Sequence, residues 1–266
     1  MKILKNILLS GAIASSLLNA GGDMAPLQIP RIVAEPENSW SYEFQMYALA
    51  PWMKGDASLG YHRLLLPGDN SAEDITVDMS PKTIVDHLKM GFMGHFEAHQ
   101  KQGVGVWLDY SFMNLGKDIK SSAEMGMFQG ILEMFGTYHV PLEQGYIDYF
   151  AGVRWWHVEM DLTIENRDRK RSFDWYDPII GLVWVTPIAE NWSLRTRADV
   201  GGFGIASDFT AAVEVGTLYD INENWQVDIH FKSLWVDYEE GSVGSYDRFV
   251  YKTVTYGPVV GISYKF

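Results

Sequence analysis

From Trp40 to Trp52 every even position is apolar or aromatic: Trp40, Tyr42, Phe44, Met46, Ala48, Ala50, Trp52. Ser41, Glu43 and Gln45 stand among the odd positions. A period of two over such a length predicts a strand with one apolar face, long enough to cross a bilayer at a tilt, which takes about 9 to 11 residues. The pattern returns in Val104, Val106, Leu108, Tyr110 and Phe112, alternating with Gly105, Trp107, Asp109 and Ser111. It returns again around Trp192 to Val200, Phe209 to Tyr219, Trp225 to Trp235 and Tyr256 to Phe266. The second face carries Arg195, Arg197, Asp199, Glu214, Asp228, His230 and Lys232, too much charge for an apolar core and suited to a polar lumen.

Ten such runs are found, near residues 40–53, 90–100, 103–115, 126–140, 145–160, 176–187, 191–202, 208–220, 224–237 and 249–266. Alternate connections are short turns, and the others are longer and more polar, as in barrels whose short turns face the periplasm. The predicted fold is all-β: an antiparallel transmembrane β-barrel of ten strands, 8 and 12 being the neighbouring even counts, with a short helix in the first outer loop. That helix is read from Ser80 as cap, Pro81 at the first helical position and the apolar face of Ile84, Val85 and Leu88 within the loop Lys54 to Lys89. The helix either lids the lumen mouth or packs on its own loop. The pentapeptide Ile188 to Trp192 recurs as Ile221 to Trp225, a repeated hairpin turn with each Trp opening a strand.

Aromatic residues fall at strand ends: Trp40, Tyr138, Trp192, Tyr219, Trp225 and Phe266 at one, and Trp52, Phe112, Trp155, Phe209 and Trp235 at the other. Amphipathic rings favour the headgroup level of a membrane. The N-terminus adds Lys2 and Lys5, an apolar run from Ile7 to Leu18, and Leu18-Asn19-Ala20 before two glycines. This reads as a signal peptide over residues 1–20, with a leader over 21–39 and the barrel over 40–266. Removing Lys2 and Lys5 takes the net charge of −13 to −15, which disfavours nucleic acid as a partner. There is no cysteine for a lipid anchor or a disulfide.

Residues Met93 to Ala98, Ala151 to Trp156 and Arg197 to Gly204 resemble those of a group of uncharacterised small Gram-negative outer-membrane β-barrel proteins. The resemblance implies fold and a cell outer membrane location, and no activity. Phe266, two residues after Tyr264 on the closing strand, resembles the signal read by the barrel assembly machinery, an expected partner during biogenesis.

The candidate site is a lumen polar network of Arg154, Arg195, Arg197, Asp199, Glu214, Asp228, His230 and Lys232. If Tyr219 faces Trp225 across the turn, Glu214 lies opposite His230 and Ala212 opposite Lys232. His95, Glu97 and His99 share the lumen face of one strand, with the two histidines about 13 Å apart along it, too far for one metal ion. They are read as satisfied polar groups. Arg167, Arg169, Lys170 and Arg171 form the basic cluster of an acidic chain, placed in an outer loop that either pairs with lipopolysaccharide phosphates or is simply solvated. No Ser-containing elbow and no evident His with Ser or paired Asp at the outer strand ends points to catalysis. The expectation is a barrel without cofactor, metal or catalytic residue, acting as a narrow channel, small-ligand binder or surface protein in contact with outer-membrane lipids. The alternative is a lipid or peptide hydrolase with its site at the outer rim.

Overall fold

A computed structural model describes residues 40–58, 75–120, 123–164, 167–242 and 248–266. The expected signal peptide and leader lie outside the described residues. The strands are β1 (Trp40–Leu49), β2 (Trp52–Ser58), β3 (Ile75–Met79), β4 (Leu88–Gln100), β5 (Val104–Lys120), β6 (Ala123–Pro141), β7 (Tyr146–Ile164), β8 (Arg167–Ala189), β9 (Trp192–Gly201), β10 (Phe209–Asp220), β11 (Trp225–Glu240) and β12 (Phe249–Lys265). Among the described residues one helix, α1 (Pro81–His87), stands before β4. Each strand from β4 to β12 pairs antiparallel with the next, and β12 returns to β1. β2 continues β1 along β12, so the closed wall is an antiparallel barrel of ten staves. Tyr42 and Phe266 exchange both backbone hydrogen bonds, at 3.0 and 2.9 Å, where the wall closes.

Alternation sorts the side chains. On β5, Val104, Val106 and Leu108 are 51, 45 and 43% exposed on the outer face, whereas Trp107 and Asp109 are 3 and 6% exposed inside. Leaving a large apolar side chain in water forgoes about 1.5–3 kcal/mol, so an outer face built of them belongs in lipid. Trp225 and Trp235 bracket this band on β11, both facing out. Ten residues at ~3.4 Å, tilted by ~40°, span about 26 Å, the height of an outer-membrane apolar band.

The outer ends depart from the sequence reading. Within the segments expected as polar loops around 116–125 and 161–175 the described residues are strand: β5 pairs with β6 up to Lys120 and Ala123, and β7 with β8 up to Ile164 and Arg167. Beyond the outer girdle lipid no longer demands an apolar face, so polar residues there conceal a strand. The loop Lys54 to Lys89 likewise contains the β2–β3 pairing and α1, capped by Ser80 Oγ accepting from the Thr83 amide at 3.2 Å. Ile84 of α1 is buried and Val85 exposed.

The first stave is not continuous as expected. It breaks at Ala50-Pro51, where Ala50 N donates to Pro258 O on β12. Amide direction alternates along a strand, so the nitrogen of Pro51 faces β4 and has no hydrogen to give. Among the described residues, pairing of β1 with β4 stops at Met46 and Gly94, and from Met93 to Leu88 β4 pairs with β5 alone. A seam therefore runs through the wall just below the outer girdle.

Candidate functional site

The centre of the lumen is an ion-pair layer. Arg154 on β7, fully buried, donates from Nε to Glu133 Oε1 at 2.7 Å, from Nη2 to Asp199 Oδ1 at 2.9 Å and from Nη1 to Thr210 Oγ1 at 3.0 Å. Arg197 on β9 reaches Asp199 Oδ2 at 2.7 Å, Glu133 Oε2 at 2.9 Å and Glu214 Oε1 at 3.3 Å. Its guanidinium also sits 4.5 Å from the Trp107 ring centre. Glu214 receives Arg195 Nη1 at 2.8 Å and Lys232 Nζ at 3.2 Å. Each carboxylate of the layer is bridged by cations from different staves, so desolvation is offset by charge-assisted bonds running across the lumen.

The structure brings Arg154, Arg195, Arg197, Asp199, Glu214 and Lys232 into this layer. Asp228 and His230 stand to its periplasmic side, 2.9 Å apart, and His230 is 3.9 Å from Glu214. The expected register across the β10–β11 turn is wrong by two residues. Tyr219 pairs with Val227, Gly216 with His230, and Glu214 with Lys232, while Arg197 faces Glu214 from β9. The turn extends through Trp225 because Asn222 Oδ1 accepts from the Asn224 and Trp225 amides at 2.9 Å. A slip of two preserves the face, which is why the lumen set survives it.

Sequence reasoning passed over Glu133, Thr210, Tyr47 and Asp109. Glu133 is the layer's second bridge, and parity along β6 with Gln129 and Thr137 marks it as inward. Tyr47 donates to Asp109 Oδ1 at 2.8 Å, tying β1 to β5 across β4.

Above the layer the lumen is apolar, not polar as expected. Trp156, Trp175, Tyr238, Phe249, Tyr251 and Phe173 form a buried aromatic core. Trp175 stacks on Tyr238 at 4.1 Å and Phe173 on Phe249 at 3.6 Å, joining β8 to β11 and β12 across the barrel. The β9–β10 connection folds beneath, with positive φ at Gly202, Phe203 and Gly204. Buried Ser207 then gives its amide and hydroxyl to Asp177, each at 2.8 Å.

On the periplasmic side Glu97 bridges His95 Nε2 at 2.7 Å and His99 Nε2 at 3.0 Å, and His95 Nδ1 lies 3.3 Å from Asp109. A polar cavity of about 60 Å³ opens there beside Gln45, Asp228 and His230. A second, largely apolar cavity of about 50 Å³ lies on the outer side of Tyr47, Asp109 and Lys232, which line both. Each has room for a few waters and none for an organic solute in transit.

A likeness of fold accompanies this geometry. The outer membrane protease OmpT from Escherichia coli superposes with a TM-score of 0.54 at 9% identity, covering 87% of this chain and 97% of that one. The fold is that of a bacterial outer-membrane barrel. The translocator domain of the autotransporter NalP from Neisseria meningitidis gives 0.46 at 10% identity over 88% of this chain and 90% of that domain. No protein-family model and no curated protein matches.

The basic cluster is strand, not loop. Lys170 is exposed and pairs with Glu159 on β7, whereas Arg171 is half-buried over the Phe173 ring at 4.8 Å. The side chains of Arg167 and Arg169 lie outside the described residues. Facing out near the girdle, His157 Nδ1 is 2.8 Å from Asp174 Oδ1, a pair hidden in the sequence by the loop assignment. Phe266 and Tyr264 also face outward, with their rings 6.0 Å apart and Phe266 stacked on Tyr42 at 5.5 Å.

Proposed function

We propose that this chain is a closed, non-conducting barrel of the Gram-negative outer membrane whose role is exercised at its raised outer wall, as a surface protein. The observation that carries the reading is the filled lumen: Arg154, Arg197, Glu133 and Trp156 are at most 2% exposed, and the ion-pair layer and aromatic core succeed each other across it. An interior only slightly wider than that of an eight-stranded barrel is filled by side chains such as these. Its surroundings are outer-membrane lipids and lipopolysaccharide, with Lys170 at the outer wall. The purified, folded protein in a planar bilayer is expected to give no stable conductance steps, and steady open channels in 0.15 M salt overturn the reading.

The His157–Asp174 pair favours a second reading, a hydrolase at the outer rim. A carboxylate that orients an imidazole is half of a general base, and the other imidazole nitrogen remains for a substrate or water. Hydrolysis of a lipid or peptide panel that is lost in His157→Gln supports this alternative.

A further inference from the structure

The apolar cavity and the seam coincide. Leu49 and Pro51 at the break of the first stave and Met93 on the unzipped part of β4 line the cavity, together with Met113 and Leu234 inside the wall. Phe112 lines it too, although its ring lies among the outward-facing Phe92, Tyr110 and Phe128. The cavity thus lies directly behind the stretch where β1 and β4 are not paired, just below the outer girdle.

Its polar wall is acceptor-rich. Gln129 is 4% exposed, and its side-chain oxygen has no hydrogen-bond partner among the described residues. Asp109 and Glu133 add carboxylates to the lining, while the cation Lys232 there is engaged by Glu214 at 3.2 Å. A buried acceptor without a donor is a deficit that a donor entering from lipid removes. A carboxylate head would meet like charges and gain no bond to Gln129. About 50 Å³ holds a small head and little more, so an attached chain has to lie in the seam.

We propose that the seam between β1 and β4 admits, from the outer leaflet, the head of a single-chain amphiphile bearing a hydroxyl or ammonium group. Gln129 accepts from that head beside Asp109 and Glu133, and the chain lies along Leu49, Met93 and Phe112. The site is lateral and does not require the lumen to be open or closed, so conductance and amphiphile binding stand or fall separately.

The test uses the folded protein in lipid nanodiscs with dodecanol carrying a mid-chain diazirine. Photolabelling is expected to concentrate on Leu49, Met93 and Phe112 over Val213, an exposed apolar residue of β10 away from the seam. Dodecanol and dodecylamine should compete, and dodecanoate should not. Gln129→Leu is expected to weaken competition by dodecanol about fivefold, the equivalent of one hydrogen bond of about 1 kcal/mol. Met93→Trp, which fills the seam and leaves the polar wall intact, is expected to abolish the labelling and decides the matter if Gln129→Leu does not fold. Labelling spread evenly over the apolar band, equal competition by dodecanoate, or persistence in Met93→Trp overturns the proposal.

Discussion

Within the bilayer the barrel is inverted, with Val213 and Ile229 outside and Arg197 and Glu214 inside. Above the girdle the same strands turn right side out: Trp156 and Trp175 are 1 and 3% exposed inside, while Lys170 and Asp174 face water. The alternation of the strand is common to both halves; the solvent on the outer face differs. Where lipid takes the apolar residues, polar side chains are left to fill the lumen and must satisfy one another. Where water surrounds the wall, the lumen becomes an ordinary apolar core. One continuous sheet thus carries two folding logics stacked end to end, which leads to different responses to mutation.

The largest effect is expected in the ion-pair layer. Arg197→Ala leaves Glu133, Asp199 and Glu214 with a missing cation, and losing one partner of a buried pair costs about 3–5 kcal/mol. The temperature at which the compact form is lost on detergent gels should fall sharply, and adding Glu133→Ala should cost much less than its own single change, because the two act as a unit. Strictly additive losses would mean that the layer is a set of separate solvated charges. Trp175→Ala removes the stack on Tyr238 and costs about 3–5 kcal/mol locally. Its expected signature differs: the outer wall becomes open to protease added to intact cells while the boiling shift stays in place. A loss of the boiling shift as well would show that the two halves fold as one unit. Asn222→Ala removes the acceptor that holds the β10–β11 turn and is expected to cost about 0.5–1.5 kcal/mol, read from the urea midpoint. Lys170→Ala, at an exposed pair, should leave both assays unchanged. Deleting Phe266, by contrast, should lower the amount of assembled barrel in the outer membrane more than it lowers the stability of what does assemble, a difference visible by comparing outer-membrane yield with gel shift.

The same division explains what the sequence made legible. The membrane strands could be read because lipid forces strict alternation, and α1 because Ser80 and Pro81 announce it. The outer parts of β6, β7 and β8 could not, since the outer face there turns polar once lipid is gone and the apolar residues move to the inner face, while Trp155-Trp156 and Trp175-Tyr176 set aromatic residues on both. A strand's period fixes faces and leaves neighbours open: Glu214 lies inside, and its partner across the turn is Lys232, because one Asn222 side chain lengthens the turn. Tyr47 and Glu133 were missed for a related reason. Contacts across a lumen join strands that are far apart in sequence, and no local pattern records them.

The exchange of backbone hydrogen bonds between Tyr42 and Phe266 has a kinetic consequence. Almost the whole described chain lies between these two residues, so the contact that closes the circle has nearly the largest sequence separation among the described residues, and such contacts form last. Until then β1 and β12 are both unpaired edges, each a template for any other strand that comes by. A circular sheet has no half-closed state in which those edges are satisfied. Folding of this chain is therefore a race between the pairing of β1 with β12 and the pairing of either edge with a neighbouring molecule.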